Sequence, residues 1–406
     1  MKEKFLVINA GSSSLKFSLY SMPEAKEIVN GYIEKIGYLD SSYTLKYDGK
    51  KIEKNKILMN HTEAVRLMLE ELLNNKFIND VNEIKGVGHR VVHGGEKYSK
   101  SVIINDEVID DIDNLTKFAT LHHPGELAGI KSMQDCMQDV LQVAVFDTAF
   151  HQTMPDYNYM YAVPYDWYLK LGVRKYGFHG TSHKYITEKM KNYFNKDNVN
   201  LIICHIGSGA SISVIKDGKC VNTTMGLTPL DGLMMCTRSG NIDSSIIEYI
   251  CKEENLTVEE VTNILNKKSG LLGIASKNDF RDVEKLANEG NERAKLAIKM
   301  FEKSIIKYIA EYYFELKGNI DALIFTAGVG ENQIKVREDI INEISNVMDI
   351  KLNKEANDNI ARFKQNQSGI ITTPDSKFKV MVIPTDEEYM ILKDTYELYK
   401  TKTLKR

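Results

Sequence analysis

Asn9-Ala10-Gly11-Ser12-Ser13-Ser14-Leu15-Lys16-Phe17 is the stretch from which the rest of the chain is read. The apolar run Phe5-Leu6-Val7-Ile8 precedes it, and the alternating Phe17-Ser18-Leu19-Tyr20 closes it. That pattern predicts a strand, a tight turn and a second strand. Gly11 lets backbone come close to a ligand, and three hydroxyls and one lysine cluster at the tip. Small donors with a single cation suit a phosphate chain. The glycines and following helix of a Walker A loop are missing. On this stretch alone, an ordinary polar hairpin turn accounts for the residues equally well.

The second half repeats the pattern. Leu201-Ile202-Ile203-Cys204-His205-Ile206 leads into Gly207-Ser208-Gly209, and Ala210–Ile215 alternates before an Asp217-Gly218 turn. One phosphate-type hairpin per half predicts a duplicated α/β unit with a ligand cleft between the copies. Between the hairpins, Tyr43–Tyr47 alternates as a strand, and Val65, Met68, Leu69 and Leu72 take helical spacing. Gly86–Gly95 reads as a strand entering a glycine turn, and Val143–Phe146 as a buried strand ending at Asp147. Leu296, Met300, Ile305, Ile309 and Tyr312 predict a long, largely buried helix, followed by a strand at Ala322–Phe325. Strands alternating with helices, with polar residues gathered at strand ends, indicate an α/β fold with its site at the sheet edges.

Composition bounds the answer. The 406 residues exceed one ordinary core, so two domains are expected. A hydrophobic fraction of 43% with 27% charged residues is that of a globular protein. A net charge of −3 gives no reason to expect nucleic acid or an anionic membrane as partner. Five scattered cysteines form no C-x-x-C pair, which favours reduced thiols over a disulfide frame or zinc site. No run approaches a signal-peptide core or a membrane span, and the expectation is a cytoplasmic, soluble protein.

Four polar clusters interrupt the strands: His89-Arg90 with His93-Gly94-Gly95, Asp147–His151, Tyr176–His183 and Thr237-Arg238-Ser239-Gly240. Arginines, histidines and an aspartate on Gly/Ser loops are the parts of phosphoryl transfer, which is positioning plus charge neutralisation. Each part alone has a plainer explanation: a surface ion pair for an arginine, a cap for a strand-end aspartate. His61 and His151 are assigned structural roles. His179 and His183 have i,i+4 spacing, but Gly180 and the missing glutamate argue against a zinc helix.

NAGSSSLKF from Asn9, GHRVVHGGE from Gly88, FDTAFH from Phe146, YGFHGTSH from Tyr176, TRSG from Thr237 and IPTDEE from Ile383 occur in one order. In these motifs the chain resembles the acetate kinase family, of the acetate and sugar kinase, heat-shock-protein and actin superfamily. The resemblance runs from Asn9 to the C-terminal helix. It implies two duplicated actin-like (ribonuclease H-like) domains and reversible transfer of the ATP γ-phosphoryl group to acetate, giving acetyl phosphate and ADP. It further implies an N-terminal acyl- and metal-binding domain, 1–150 plus 385–406, and a nucleotide-binding domain, 151–384. A homodimer and Mg²⁺, with Mn²⁺ as the alternative, are expected on the same ground.

The resemblance also carries site roles. Asn9 and Glu387 match the metal positions, and Ser14 and Lys16 the phosphate contacts of the first hairpin. Arg90 matches the carboxylate-binding arginine, Asp147 the essential acid, and His179 with Arg238 the pair on the transferring phosphoryl group. Val92, Leu121, Phe178 and Pro229, with His122 beside them, match the acyl pocket. His205, Ile206, Gly207, Ser208 and Gly209 match the second phosphate loop. Asp279, Phe280 and Arg281 match a nucleotide contact, and Gly328, Val329, Gly330, Glu331 and Asn332 the adenosine end.

The chain departs from the usual motifs at Ser208 (asparagine elsewhere), Ala327 and Cys236 (glycine), Asn241 (aspartate), Thr120 (proline) and His123 (asparagine). These leave the donor preference open, with ATP expected to work. Thr385 and Glu388 have capping-box spacing, which would leave Glu387 free for the metal. The alternatives are the same chemistry on propionate, an actin-like or chaperone-like ATPase, and a binding-only sensor of acetyl phosphate or nucleotide. Arg90, His179 and Arg238 separate the kinase from the ATPase, which needs no grip on a carboxylate.

Overall fold

Phe5–Ile8 forms the buried centre of β1 (Glu3–Gly11), and the Ser12-Ser13 turn returns the chain along β2 (Ser14–Met22), with Gly11 opposite Ser14. The computed structural model describes residues 3–361, 363–364 and 366–404, so the extreme ends of the expected first domain lie outside the described residues. The chain divides into two compact units, Met1–Phe150 with Asp386–Arg406, and His151–Thr385.

In the first unit β3 (Lys26–Glu34), β4 (Ser42–Tyr47), β5 (Lys50–Asn55), β6 (Ile84–Val91), β7 (Val102–Ile103) and β8 (Leu141–Phe146) complete one sheet, in the order β5-β4-β3-β2-β1-β6-β8-β7. β1 runs parallel to β6, and β6 to β8, while β2 to β5 form an antiparallel meander. Strand parity divides the apolar residues between two layers. Leu6, Ile8, Leu15 and Phe17 pack with Ala64, Val65 and Met68 of helix His61–Asn74 and Met133 of helix His123–Cys136. Phe5, Val7, Tyr20, Val143 and Val145 pack with Ile391 and Leu392 of the C-terminal helix Glu387–Leu404. Burying each such side chain is worth roughly 1.5–3 kcal/mol.

Glycines admit that last helix. A Cβ on Gly88 would stand 2.3 Å from Thr395 Oγ1 and 2.6 Å from Ile391 Cγ2. Gly11 also lies close to two helices. A Cβ on Gly125 would come within 2.4 Å of the Gly11 carbonyl, and His61 Nε2 donates to Gly11 O at 2.8 Å. The hairpin is thus held by two helices.

The second unit repeats the plan. β9 (Leu201–Ile206), β10 (Ala210–Lys216), β11 (Lys219–Thr223), β12 (Ala322–Thr326), β13 (Gly369–Ile370) and β14 (Lys379–Val382) are ordered β11-β10-β9-β12-β14-β13. β9-β10-β11 corresponds to β1-β2-β3, and the parallel β9-β12-β14 to β1-β6-β8. This is the duplicated actin-like α/β architecture. No helix among the described residues is long and apolar enough to cross a membrane.

Two expectations need correction. The long helix Glu292–Glu315 forms, but Leu296 and Met300 are 55% and 42% exposed. Its buried stripe is Ala294, Ala297, Phe301, Glu302, Ile305, Tyr308, Ile309 and Tyr312, so Ile305, Ile309 and Tyr312 are buried as expected while Ala294 and Ala297 take the place of Leu296 and Met300 in the first turns. The Thr385–Glu388 capping box does not form. Asp386 Oδ1 takes the Tyr389 N–H at 2.9 Å, while Thr385 belongs to the second unit, where its hydroxyl meets Ser182 at 2.7 Å.

Candidate active site

In the first unit, parity gathers the polar strand ends on the layer covered by the C-terminal helix. Asn9 follows Val7 on that face and stands opposite Lys16, Arg90 follows Gly86 and Gly88, and Asp147 follows Val145. Arg90 and Asp147 form a fork, with Nε–Oδ2 at 3.1 Å and Nη2–Oδ2 at 2.6 Å. The adjacent carboxylate drives the Arg90 pKa further up, so the guanidinium stays charged. Glu387 opens the helix above them. Burial pushes its carboxyl up to about 7, Arg90 opposes that, and Oε1 is buried without a hydrogen-bond partner among the described residues. Glu388 is exposed.

Val92 is buried, Leu121 is 52% exposed, and His122 precedes helix His123–Cys136. Ser14 Oγ would stand 2.8 Å from a Cβ on Gly11, and the Lys16 side chain is exposed. Glu126 lies beneath Val92 and was not singled out in the sequence. It is 3% exposed, and both its oxygens sit 3.2 Å from the Val92 N–H. Burial pushes it up to about 8, against the pull of that N–H and of Arg90. His123 donates from Nδ1 to Ile112 O at 2.8 Å, and its Nε2 stands 3.8 Å from Glu126 Oε2.

In the second unit, His179 and Arg238 meet over the second hairpin. A Cβ on Gly209 would lie 3.3 Å from Arg238 Nη1 and 3.5 Å from His179 Nε2, so glycine leaves an open spot beside a guanidinium and an imidazole nitrogen. Arg238 bonds to Pro229 O at 3.1 Å and has no carboxylate within ion-pair reach among the described residues. Burial lowers its pKa, with Cys236 opposing. His179 takes a left-handed backbone at φ 57° and stacks on His205 at 4.2 Å. His205 Nδ1 bonds to Ser182 Oγ at 2.8 Å, and Phe178 is buried with its carbonyl on His151 Nε2 at 3.0 Å.

A cavity of about 900 Å³ opens beside this hairpin. Gly207, Ser208, Asp279, Phe280, Arg281, Gly328, Val329 and Asn332, all expected at the nucleotide, line it together with Cys236. Two of the departures touch: Cys236 N–H donates to Ser208 O at 3.2 Å. Asp279 caps helix Phe280–Asn288 and pairs with Arg281 at 2.6 Å. Gly330 and Glu331 support the wall from behind. Glu331 Oε1 accepts the Ala327 N–H at 2.8 Å, and buried Arg337 donates to Gly330 O at 3.0 Å and Glu331 O at 2.9 Å. Ala327 holds φ 65°, where glycine would be unstrained.

Sequence reading missed Glu126, Ser211 and Arg337. For Ser211 a signal existed: Ser211 and Ser213 alternate with apolar residues on a strand buried along both faces. For Arg337, a lone arginine on the apolar stripe of helix Ile334–Met348 was the corresponding sign.

A sequence model of the Acetokinase family matches residues 4–393. The acetate kinase of Clostridium novyi (strain NT) is 47% identical over 407 residues, covering 99% of this chain and all of that protein. The crystal structure of Porphyromonas gingivalis acetate kinase superposes with a TM-score of 0.91 at 41% identity, covering 97% of this chain and 99% of that one. A propionate kinase structure from Francisella tularensis subsp. tularensis SCHU S4 gives the same TM-score, 0.91, identity, 41%, and coverages, 97% and 99%.

Proposed function

The chain belongs to the Acetokinase family, and from this premise we propose that it transfers the γ-phosphoryl group of ATP reversibly to acetate, giving acetyl phosphate and ADP. It is a phosphotransferase with a carboxyl group as acceptor. Such an acceptor is already an anion, so no strong base is needed, and the chemistry reduces to cancelling repulsion between two anions. The observation that carries the reading is Arg238, a guanidinium without a carboxylate partner among the described residues, standing with His179 over Gly209.

Arg90, charged and oriented by Asp147, would grip the acceptor carboxylate through a fork. Asp147 orients that arginine and removes no proton. Val92, Leu121, His122, Phe178 and Pro229 would exclude water around the acyl methyl. Ser14, Lys16 and the loop from His205 to Gly209 would hold phosphates, and the lined cavity the nucleoside. The first unit then carries acceptor and metal functions, and the second the nucleotide.

Asn9 and Glu387 fit Mg²⁺. Glu387 Oε1 is a buried acceptor without a partner among the described residues, and Mg²⁺ is commonly held by one or two protein oxygens, waters and phosphates. When bound, the ion would neutralise charge on the donor phosphates. The exposed Tyr165, Trp167, Leu169 and Leu171 on helix Tyr165–Leu171 support a homodimer, and five free thiols support a cytoplasmic location.

Phosphorus-31 NMR of the reverse reaction tests the function. Acetyl phosphate and MgADP should give a rising ATP β-phosphorus signal, and release of inorganic phosphate alone would overturn the reading. Propionyl phosphate, run in parallel, measures acyl selectivity, for which one methylene is worth about 1–3 kcal/mol.

A further inference from the structure

His183 is fully buried on helix Gly180–Phe194, and the transfer chemistry above gives it no part. Its Nε2 lies 2.8 Å from Ser211 Oγ, and that same hydroxyl lies 2.9 Å from His179 Nδ1. The two histidines stand one helical turn apart, since His179 immediately precedes the helix, and β10 places Ser211 between them. His183 Nδ1 is buried without a hydrogen-bond partner among the described residues.

Proton counting orders this chain. Burial, with His151 and His205 nearby, pushes the His183 pKa well down, so the ring is neutral and carries a single N–H. A proton on Nδ1 would be a donor buried with nothing to accept it, the rarer and costlier arrangement. The proton therefore belongs on Nε2, which donates to Ser211 Oγ. The serine hydroxyl has one proton, and its remaining partner is His179 Nδ1. That nitrogen must then be an acceptor, which leaves the His179 proton on Nε2. The reverse order strands an N–H on His183 Nδ1, which has no acceptor among the described residues.

We propose that His183 and Ser211 are positioning residues that lock His179 in its Nε2–H tautomer, so that its ring presents a proton to the transferring phosphoryl group. The proposal rests on the phosphoryl-transfer reading for its consequence and on hydrogen-bond geometry for its cause. His205, stacked flat on His179 and tied to Ser182, holds the ring plane while the serine sets the proton.

Long-range proton–nitrogen correlation NMR on full-length protein with nitrogen-15 histidine reads the tautomer directly, with His179→Gln assigning the signal. The expected result is a protonated Nε2 and an acceptor Nδ1 on His179. A proton on Nδ1 would overturn the proposal, whatever reaction the protein catalyses. Steady-state kinetics supply the second arm. Ser211→Ala should lower kcat by about tenfold to a hundredfold, the range for a residue that orients a functional histidine, with KM for acetate and MgATP unchanged. Ser211→Thr, which keeps the hydroxyl, should recover most of that loss. Wild-type kcat in Ser211→Ala would refute the proposal.

Discussion

Glu126→Gln tests the electrostatics beneath the Arg90 strand. The carboxyl is 3% exposed and pushed up to about 8 from 4.5, chiefly by burial. Between those values the unfolded chain has lost the proton and the native protein has kept it. The native state therefore binds the extra proton, and stability falls as pH rises through that window. The slope is about 1.4 kcal/mol per pH unit, so roughly 3 kcal/mol is lost over two units inside the window. Glutamine keeps the shape and cannot ionise. Urea unfolding of both proteins at matched pH values between roughly 5.5 and 7.5 gives the difference directly, because every other titrating group is common to both. The expected outcome is a variant that gains on wild type by about 1 kcal/mol or more for each unit of rising pH. Parallel pH dependences would refute the assignment of a neutral Glu126.

Gly88→Ala should loosen the C-terminal helix, since its Cβ would fall 2.3 Å from Thr395 Oγ1 and 2.6 Å from Ile391 Cγ2. Chemical denaturation should register a loss of about 1–3 kcal/mol, and wild-type stability would show that the helix is not seated on that glycine. Ala327→Gly relieves a residue at φ 65°. Relief of about 1–2 kcal/mol, less the entropy that glycine adds to the unfolded chain, should raise the melting temperature slightly, and a lower one would count against the strain. Glu387→Gln removes a carboxyl that burial pushes up to about 7. Because the native state holds that proton more tightly than the unfolded chain, the ligand-free variant should outlast wild type above roughly pH 7 and lose the further stabilisation by MgADP. Scanning fluorimetry with and without MgADP checks both, and an unchanged MgADP response would remove Glu387 from the metal site.

The duplicated fold was legible because each half begins with an apolar run, a Gly/Ser turn and an alternating strand, and strands of period two are specified locally. Arg90 and Asp147 were legible as candidates because they stand at the ends of apolar strands, whereas His179 and Arg238 lie on loops and were found through the Gly-rich motifs around them. What escaped reading depends on contacts across the chain. Nothing near Glu126 announces that its carboxyl will lie under the Val92 N–H, 34 positions away. The exposed Leu296 and Met300 show how helical spacing finds a stripe, here right at Ile305, Ile309 and Tyr312, yet misplaces its start, where Ala294 and Ala297 do the packing that larger side chains seemed to offer. The cap at Asp386 replaced the expected Thr385–Glu388 box because the Thr385 hydroxyl is engaged by Ser182, a partner 203 positions distant.

The central claim is that Arg238, without an acidic partner among the described residues and beside His179, neutralises a phosphoryl group moving to a carboxylate. Hydroxylamine trapping of the acyl phosphate, with wild type and Arg238→Ala given MgATP and acetate, tests it most directly. Acetyl hydroxamate formed by wild type and nearly abolished in the variant, with nucleotide binding retained, is the predicted result. ATP hydrolysis without trapped product, or undiminished hydroxamate from Arg238→Ala, would contradict it.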